Sequence, residues 1–245
     1  MMNQRRQLSL NCNIGQNEMR LFIIFSALVI TQSQAVHLGE YTVAILNKDN
    51  LICNGAIIHD TLIITSAGCV NETKPNELVI KAGSSNFKHG GVQAEVEKIA
   101  THKKYNKFSH DYDIAILKLK GCLAVSAPNI AEIAISKEIS TNSGLLTGWV
   151  SRDDSLGMLQ LYNVSVRNAE KCALITAVNV TDRMFCADIS QDDRCVEFPV
   201  GSPLVINKKL IGIKSFGFQC SFNVFTNVSV LSKFIQKAIK RLALY

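Results

Sequence analysis

Residues 51–69 read LICNGAIIHDTLIITSAGC. Two apolar, β-branched runs, LICNGAII and TLIITSA, are divided at His59-Asp60 and closed by Gly68 and Cys69, as expected of adjacent short strands in a pleated, packed surface. The same texture continues on both sides: YTVAILN before it, then ELVIKAG, VQAEVEKIA, DIAILKL, GLLTGWV, MLQLYNVSV, PLVIN, KLIGIKSF and FNVFTNV. Many short strands broken by turn chemistry define an all-β sandwich or barrel. In VQAEVEKIA the alternation places Val92, Ala94, Val96 and Lys98 on one face and Gln93, Glu95 and Glu97 on the other, whereas DIAILKL is nearly continuous and predicts a buried strand. Two stretches read as helical: residues 168–177 (NAEKCALITA), and residues 230–244, where Leu231, Phe234, Ile235, Ala238, Ile239 and Leu242 recur at helical spacing above a solvated face of Lys233, Lys237 and Lys240.

The N-terminal region reads as a targeting segment. Met19-Arg20 precede LFIIFSALVI, and the stretch ends on small residues at Ser33 and Ala35, so residues 19–35 predict a signal peptide and residues 1–18 an upstream extension. Ten strongly apolar residues fall well short of the ~20 needed to span a bilayer, so no stable membrane anchor is expected. Removing residues 1–35 takes away three arginines and one glutamate, which lowers the formal charge of +6 by two. The remaining basic residues are scattered pairs such as Lys103-Lys104 and Lys208-Lys209, without the clustered, aromatic-interleaved pattern of nucleic-acid binding.

Eight cysteines and four N-x-S/T sequons, at Asn71, Asn163, Asn179 and Asn227, point to an oxidising, secretory route with disulfides and glycans. Asn227, near the last strand, is expected to be poorly accessible. His37, His59, His89, His102 and His110 show no metal-ligand spacing, so neither metal nor cofactor is expected.

From residue 41 to the end, the order of motifs resembles the secreted trypsin/chymotrypsin-like serine proteases. LICNGAIIHDTLIITSAGC resembles the unit that ends at the catalytic histidine, and HDYDIAILKL the aspartate segment, with Asp113 at the triad aspartate, 45 residues after Gly68. TGWV, MFCAD, the Cys195 to Pro203 stretch, GIKSFGFQC and FNVFTNVSVLSKFI follow in the family's order. The resemblance implies two packed antiparallel β-barrels, about 41–125 and 140–229, within a domain spanning 36–245 and closed by a terminal helix over 230–244. It implies disulfides Cys53–Cys69, Cys172–Cys186 and Cys195–Cys220, leaving Cys122 unpaired in the mature chain as a buried thiol or an intermolecular link.

The resemblance breaks where the chemistry should be. Gly68 stands at the histidine position. The nucleophile stretch reads Cys195-Val-Glu-Phe-Pro-Val-Gly-Ser-Pro203, one residue longer than the family pattern. Counted back from Pro203, Val200 takes the serine position; counted forward from Cys195, Pro199 does. Neither register supplies a hydroxyl, and Ser202 is the nearest one. Val36-His37-Leu38-Gly39 follows the signal segment without the basic cleavage residue and Ile-Val-Gly-Gly-like N-terminus of active relatives. A general base and a nucleophile are both missing from the triad logic, so hydrolysis is not expected.

Asp113 is expected to act structurally. Asp193, with Ser215 and Gly217, matches a pocket for basic residues, narrowed by Asn223. The implied role is that of a secreted, insect-type serine-protease homologue without catalysis, binding extracellular proteins such as active serine proteases or their substrates in immune or reproductive cascades. The alternatives are a weak serine endopeptidase acting through Ser202 with a trypsin-like basic-residue pocket, and a glycan or microbial-surface binder.

Overall fold

The computed structural model describes residues 39–125, 127–139, 142–150, 157–167, 170, 172–173, 179–189, 197–218 and 222–243. The predicted signal segment, the Val36 N-terminus, Asp193, Cys195 and Cys220 lie outside them. Six strands, β1 (Thr42–Asn47), β2 (Asn50–His59), β3 (Leu62–Thr65), β4 (Leu78–Ala82), β5 (Val92–Thr101) and β6 (Ala115–Leu119), close into a barrel in the order β1-β2-β3-β6-β5-β4. A short strand β7 (Ala134–Ile135) leads to the second barrel. This comprises β8 (Ser143–Trp149), β9 (Leu159–Arg167), β10 (Met184–Ile189), β11 (Pro203–Ile206), β12 (Lys209–Phe218) and β13 (Phe222–Asn227), closed by β11 pairing with β12. Every pairing within the two rings is antiparallel; β7 joins β12 in parallel.

Local chemistry sets the corners. Lys48-Asp49 and Asn207-Lys208 both take positive φ (48° and 66°, 49° and 59°), the two-residue turn whose twist matches the flanking strands of a hairpin. Strand β6 is buried as DIAILKL predicts, with Ile114 to Leu117 fully enclosed. Strand β5 departs from simple alternation. Its register against β6 shifts between Val96 and Lys98, so Lys98 is exposed and Ile99 joins Val96 in the first-barrel core. A bulge adds one residue to one strand and flips the faces beyond it.

Each barrel has its own core, one around Ile45, Ile63, Ile80 and Leu117, the other around Leu146, Phe185, Leu204 and Phe225. A third cluster joins Leu62, Ile64 and Ile116 to Ile213, to Leu231, and to Ile235, Ala238 and Leu242 of the terminal helix, Ser232–Ala243. That helix follows the predicted spacing. Of predicted helix 168–177 only Glu170, Cys172 and Ala173 are described, and they are helical. The seam between the barrels is polar: Thr42 to Thr147 (2.6 Å), Asn54 Nδ2 to Ser202 Oγ (2.9 Å), and Thr226 Oγ1 to the Asp113 carbonyl (2.9 Å). Gly201 crosses this seam at φ 84°, where a Cβ would lie 2.0 Å from the Asn54 carbonyl oxygen, so the position admits glycine alone.

Cys53–Cys69 and Cys172–Cys186 are disulfides, with Cα–Cα distances of 6.1 and 5.8 Å. The expectation of an unpaired Cys122 is corrected. It is disulfide-bonded, to a partner outside the described residues. Asn227 is poorly accessible, as expected. It is 5% exposed on β13 and its Oδ1 accepts from the Ser229 N–H and hydroxyl, whereas Asn71, Asn163 and Asn179 are exposed.

Candidate functional site

Strand β3 ends at Thr65, and through Ser66 the chain turns into the one-turn helix Ala67–Val70. The Cys53–Cys69 bridge ties that helix to β2. This geometry aims the turn at Asp113, which is 1% exposed just before β6. The Asp113 carboxylate accepts the Gly68 N–H on Oδ1 at 2.8 Å, the Ser66 hydroxyl on both oxygens at 2.7 and 2.8 Å, and the Ser215 hydroxyl on Oδ2. A Cβ added at Gly68 would lie 3.7 Å from Asp113 Oδ1 and 3.0 Å from the Tyr105 hydroxyl. The residue at the histidine position therefore faces the carboxylate, carries no side chain, and has the phenol of Tyr105 beside it. Burial, followed by the negative charges of Asp113 and Glu72, pushes the Tyr105 pKa up to about 12, so the phenol keeps its proton at neutral pH.

The stretch Glu197–Ser202 runs between the barrels. The Val200 carbonyl accepts the Asn54 N–H at 3.0 Å, and its side chain packs on the cluster that holds Ala67 and Cys69. Phe198 is fully buried in the second-barrel core, edge-on to Tyr162 at 5.6 Å. Val200 thus packs on the first-barrel core, to which the one-turn helix also contributes Ala67 and Val70, which favours the register counted back from Pro203. Ser202 is fully buried, its hydroxyl donating to the Pro199 carbonyl at 2.7 Å while accepting from Asn54 Nδ2. Pro199 has no N–H, and the Gly201 N–H is taken by the Lys214 carbonyl at 2.7 Å. Neither can serve an anion-binding turn of the kind that stabilises a tetrahedral intermediate.

Beside this stretch lies a cavity of about 500 Å³, lined by Val150, Glu197 to Val200, Lys214, Phe216 and Gly217. Gly217 therefore lines the cavity, while Ser215 turns its hydroxyl to Asp113, and Asn223 is buried opposite Gly217 in the β12–β13 pairing. Lys214 is 2% exposed, and its ammonium donates to the Phe198 carbonyl at 2.5 Å. Burial pulls its pKa down to about 8, against a smaller upward pull from Glu197. Lys214 and Tyr105 were not singled out from the sequence; a lysine inside the apolar run KLIGIKSF was the available signal for the first.

One wall of the site is the loop before Asp113. The His110 ring lies 4.8 Å from Phe216, and His110 and Tyr112 both hold positive φ, 53° and 55°. Arg183 grips this loop with Nε and Nη2 on Asp111 at 2.8 and 2.9 Å and lies 4.6 Å over the Tyr112 ring. Burial works to raise the Asp111 pKa, but hydrogen bonds from Arg183 and Thr181 and the guanidinium charge outweigh it and hold the carboxyl below its usual range.

Two six-stranded antiparallel barrels, with the candidate site at their junction, define the chymotrypsin-like fold. The family model described as Trypsin matches residues 29–235. The chain belongs to the trypsin family. It is 30% identical over 185 residues to Trypsin beta of Drosophila erecta, covering 72% of each chain. It is 29% identical over 219 residues to Seminase of Drosophila melanogaster, covering 84% of this chain and 78% of that one. Among solved structures, the scabies mite inactivated protease paralogue S-D1 superposes with a TM-score of 0.74 at 24% identity, over 82% of this chain and 92% of that one. Among the described residues no helix is long and apolar enough to cross a membrane.

Proposed function

We propose that this chain is a secreted, non-catalytic member of the trypsin family that uses the cleft between its barrels to bind extracellular proteins, as a regulator or cofactor of a proteolytic cascade. The observation that carries this reading is the Gly68 N–H on Asp113: the position facing the carboxylate has no side chain to take a proton. Val200 supplies no hydroxyl either. The names of its relatives would by themselves favour proteolysis, and the fold is shared with proteins named trypsin and with one named as inactivated, so the site residues must decide.

Proteolysis through Ser202 is the competing reading, and geometry counts against it. A hydroxyl that is fully buried and already bonded to Asn54 and Pro199 has no path to a peptide carbonyl. Glycan binding would need a concentrated basic face. A fluorophosphonate probe separates enzyme from non-enzyme: the purified protein should remain unlabelled under conditions that fully label trypsin. Stoichiometric labelling at Ser202, or at any serine, would overturn the proposal. Affinity capture from the host's extracellular fluid should recover a protease or its substrate.

A further inference from the structure

A buried ammonium belongs to the wall of the cavity beside Glu197–Val200. Lys214 enters the cavity wall from β12, where the neighbouring residues Ile211 and Ile213 are apolar and buried. An ammonium has three donors. Among the described residues Lys214 has a single acceptor, the Phe198 carbonyl, and no carboxylate within ion-pairing distance. Buried cations are ordinarily matched by a counter-charge, because desolvation is costly and a lone carbonyl compensates it only in part. Among the described residues lining the cavity, Glu197 is the one acidic residue; it is exposed and acts on Lys214 only at longer range.

We infer that this cavity binds a carboxylate, the aspartate or glutamate side chain of an extended segment of a partner protein, on the Lys214 ammonium. The inference rests on the reading of the cleft as a protein-binding site and adds the chemistry that site selects. The cavity, about 500 Å³, is of ligand-pocket size. Val150, Phe198, Val200 and Phe216 offer apolar walls for the methylenes of the incoming side chain, and Lys214, which lines the same cavity, is the cationic group that would fix its orientation. A lysine or arginine would bring a second cation against Lys214, so the preference runs opposite to the basic-residue pocket expected from Asp193, which lies outside the described residues. A bound carboxylate would also return to Lys214 the interactions that burial removed.

The test uses the full mature protein and three capped peptides, acetyl-Ala-Ala-Pro-Glu-amide and its Gln and Lys analogues, in competition-format fluorescence anisotropy at pH 7. The Glu peptide should bind at least tenfold tighter than either analogue. Lys214→Met should reduce it to the level of the Gln peptide, and Glu197→Gln, which removes a competing negative charge without touching the lysine, should tighten it several-fold. Tightest binding of the Lys peptide, a Glu preference that survives Lys214→Met, or no binding of any peptide would each overturn the inference. Fluorophosphonate labelling of the same preparation keeps the two readings apart. Unlabelled protein without a Glu preference removes this inference alone, whereas labelled protein removes the non-catalytic reading whatever the peptides do.

Discussion

Replacing Lys214 by methionine should make the protein more stable, and the gain should depend on pH in a direction the structure dictates. The side chain is 2% exposed, and burial lowers its pKa from 10.5 to about 8. That difference corresponds to about 3 kcal/mol disfavouring the ammonium in the folded chain. Because the folded pKa is the lower one, the unfolded chain binds more protons between pH 8 and 10.5. The cost is therefore fully present below pH 8 and is relieved as pH rises towards 10.5. Methionine fills a similar volume without the charge, but it leaves the Phe198 carbonyl without its donor, which takes back about 1 kcal/mol. The net expectation is a gain of about 2 kcal/mol at pH 7, or about 4–8 °C in Tm for a chain of this size. Urea unfolding of the oxidised protein and the variant at pH 6, 7, 8, 9 and 10 would show the two curves converging above pH 8. A variant less stable than the wild type at pH 7, or a gain that does not shrink between pH 8 and 10, would refute the assignment of Lys214 as a desolvated ammonium.

Asp113→Ala should cost roughly 3–5 kcal/mol, since it strands donors from Ser66, Gly68 and Ser215 in a buried site. Asp113→Asn, which keeps the shape and one acceptor, should cost less than half as much in the same urea titration. Gly201→Ala should lower stability by at least about 3 kcal/mol or prevent folding, because a side chain there meets the Asn54 carbonyl at positive φ; secretion yield and thermal unfolding report it. Intact mass before and after peptide N-glycosidase should show glycans only among Asn71, Asn163 and Asn179, and Asn227→Gln should leave the glycan mass unchanged.

What the sequence made legible follows the range of the interactions involved. Strands such as DIAILKL and the terminal helix are set by local periodicity, and both barrels assemble from them as the motif order implies. The bulge in β5 was invisible because it is a property of the pairing with β6, not of VQAEVEKIA itself. Ser202 looked like the available hydroxyl by position along the chain. Its burial is decided by Asn54, 148 residues away in the other barrel. The Cys53–Cys69 and Cys172–Cys186 bridges came from the family frame and are present, while Cys122, which that frame leaves unpaired, is disulfide-bonded. The neighbours of Lys214 in sequence read as ordinary strand, and only the tertiary structure buries it in the wall of a cavity.

The hydrogen bonds around Asp113 give the triad positions unequal freedom to change. Gly68 contributes only its main chain, which any residue other than proline would supply, and Val200 fills a half-buried space that tolerates an apolar group. Asp113 holds the end of β3, the one-turn helix and β12 together through its side chain, and its carbonyl receives Thr226 from β13. Relaxed selection on chemistry would therefore erase the first two positions quickly and the aspartate slowly or never. In this chain the intact Asp113 is accounted for by its structural bonds and carries little information about whether bonds are cut.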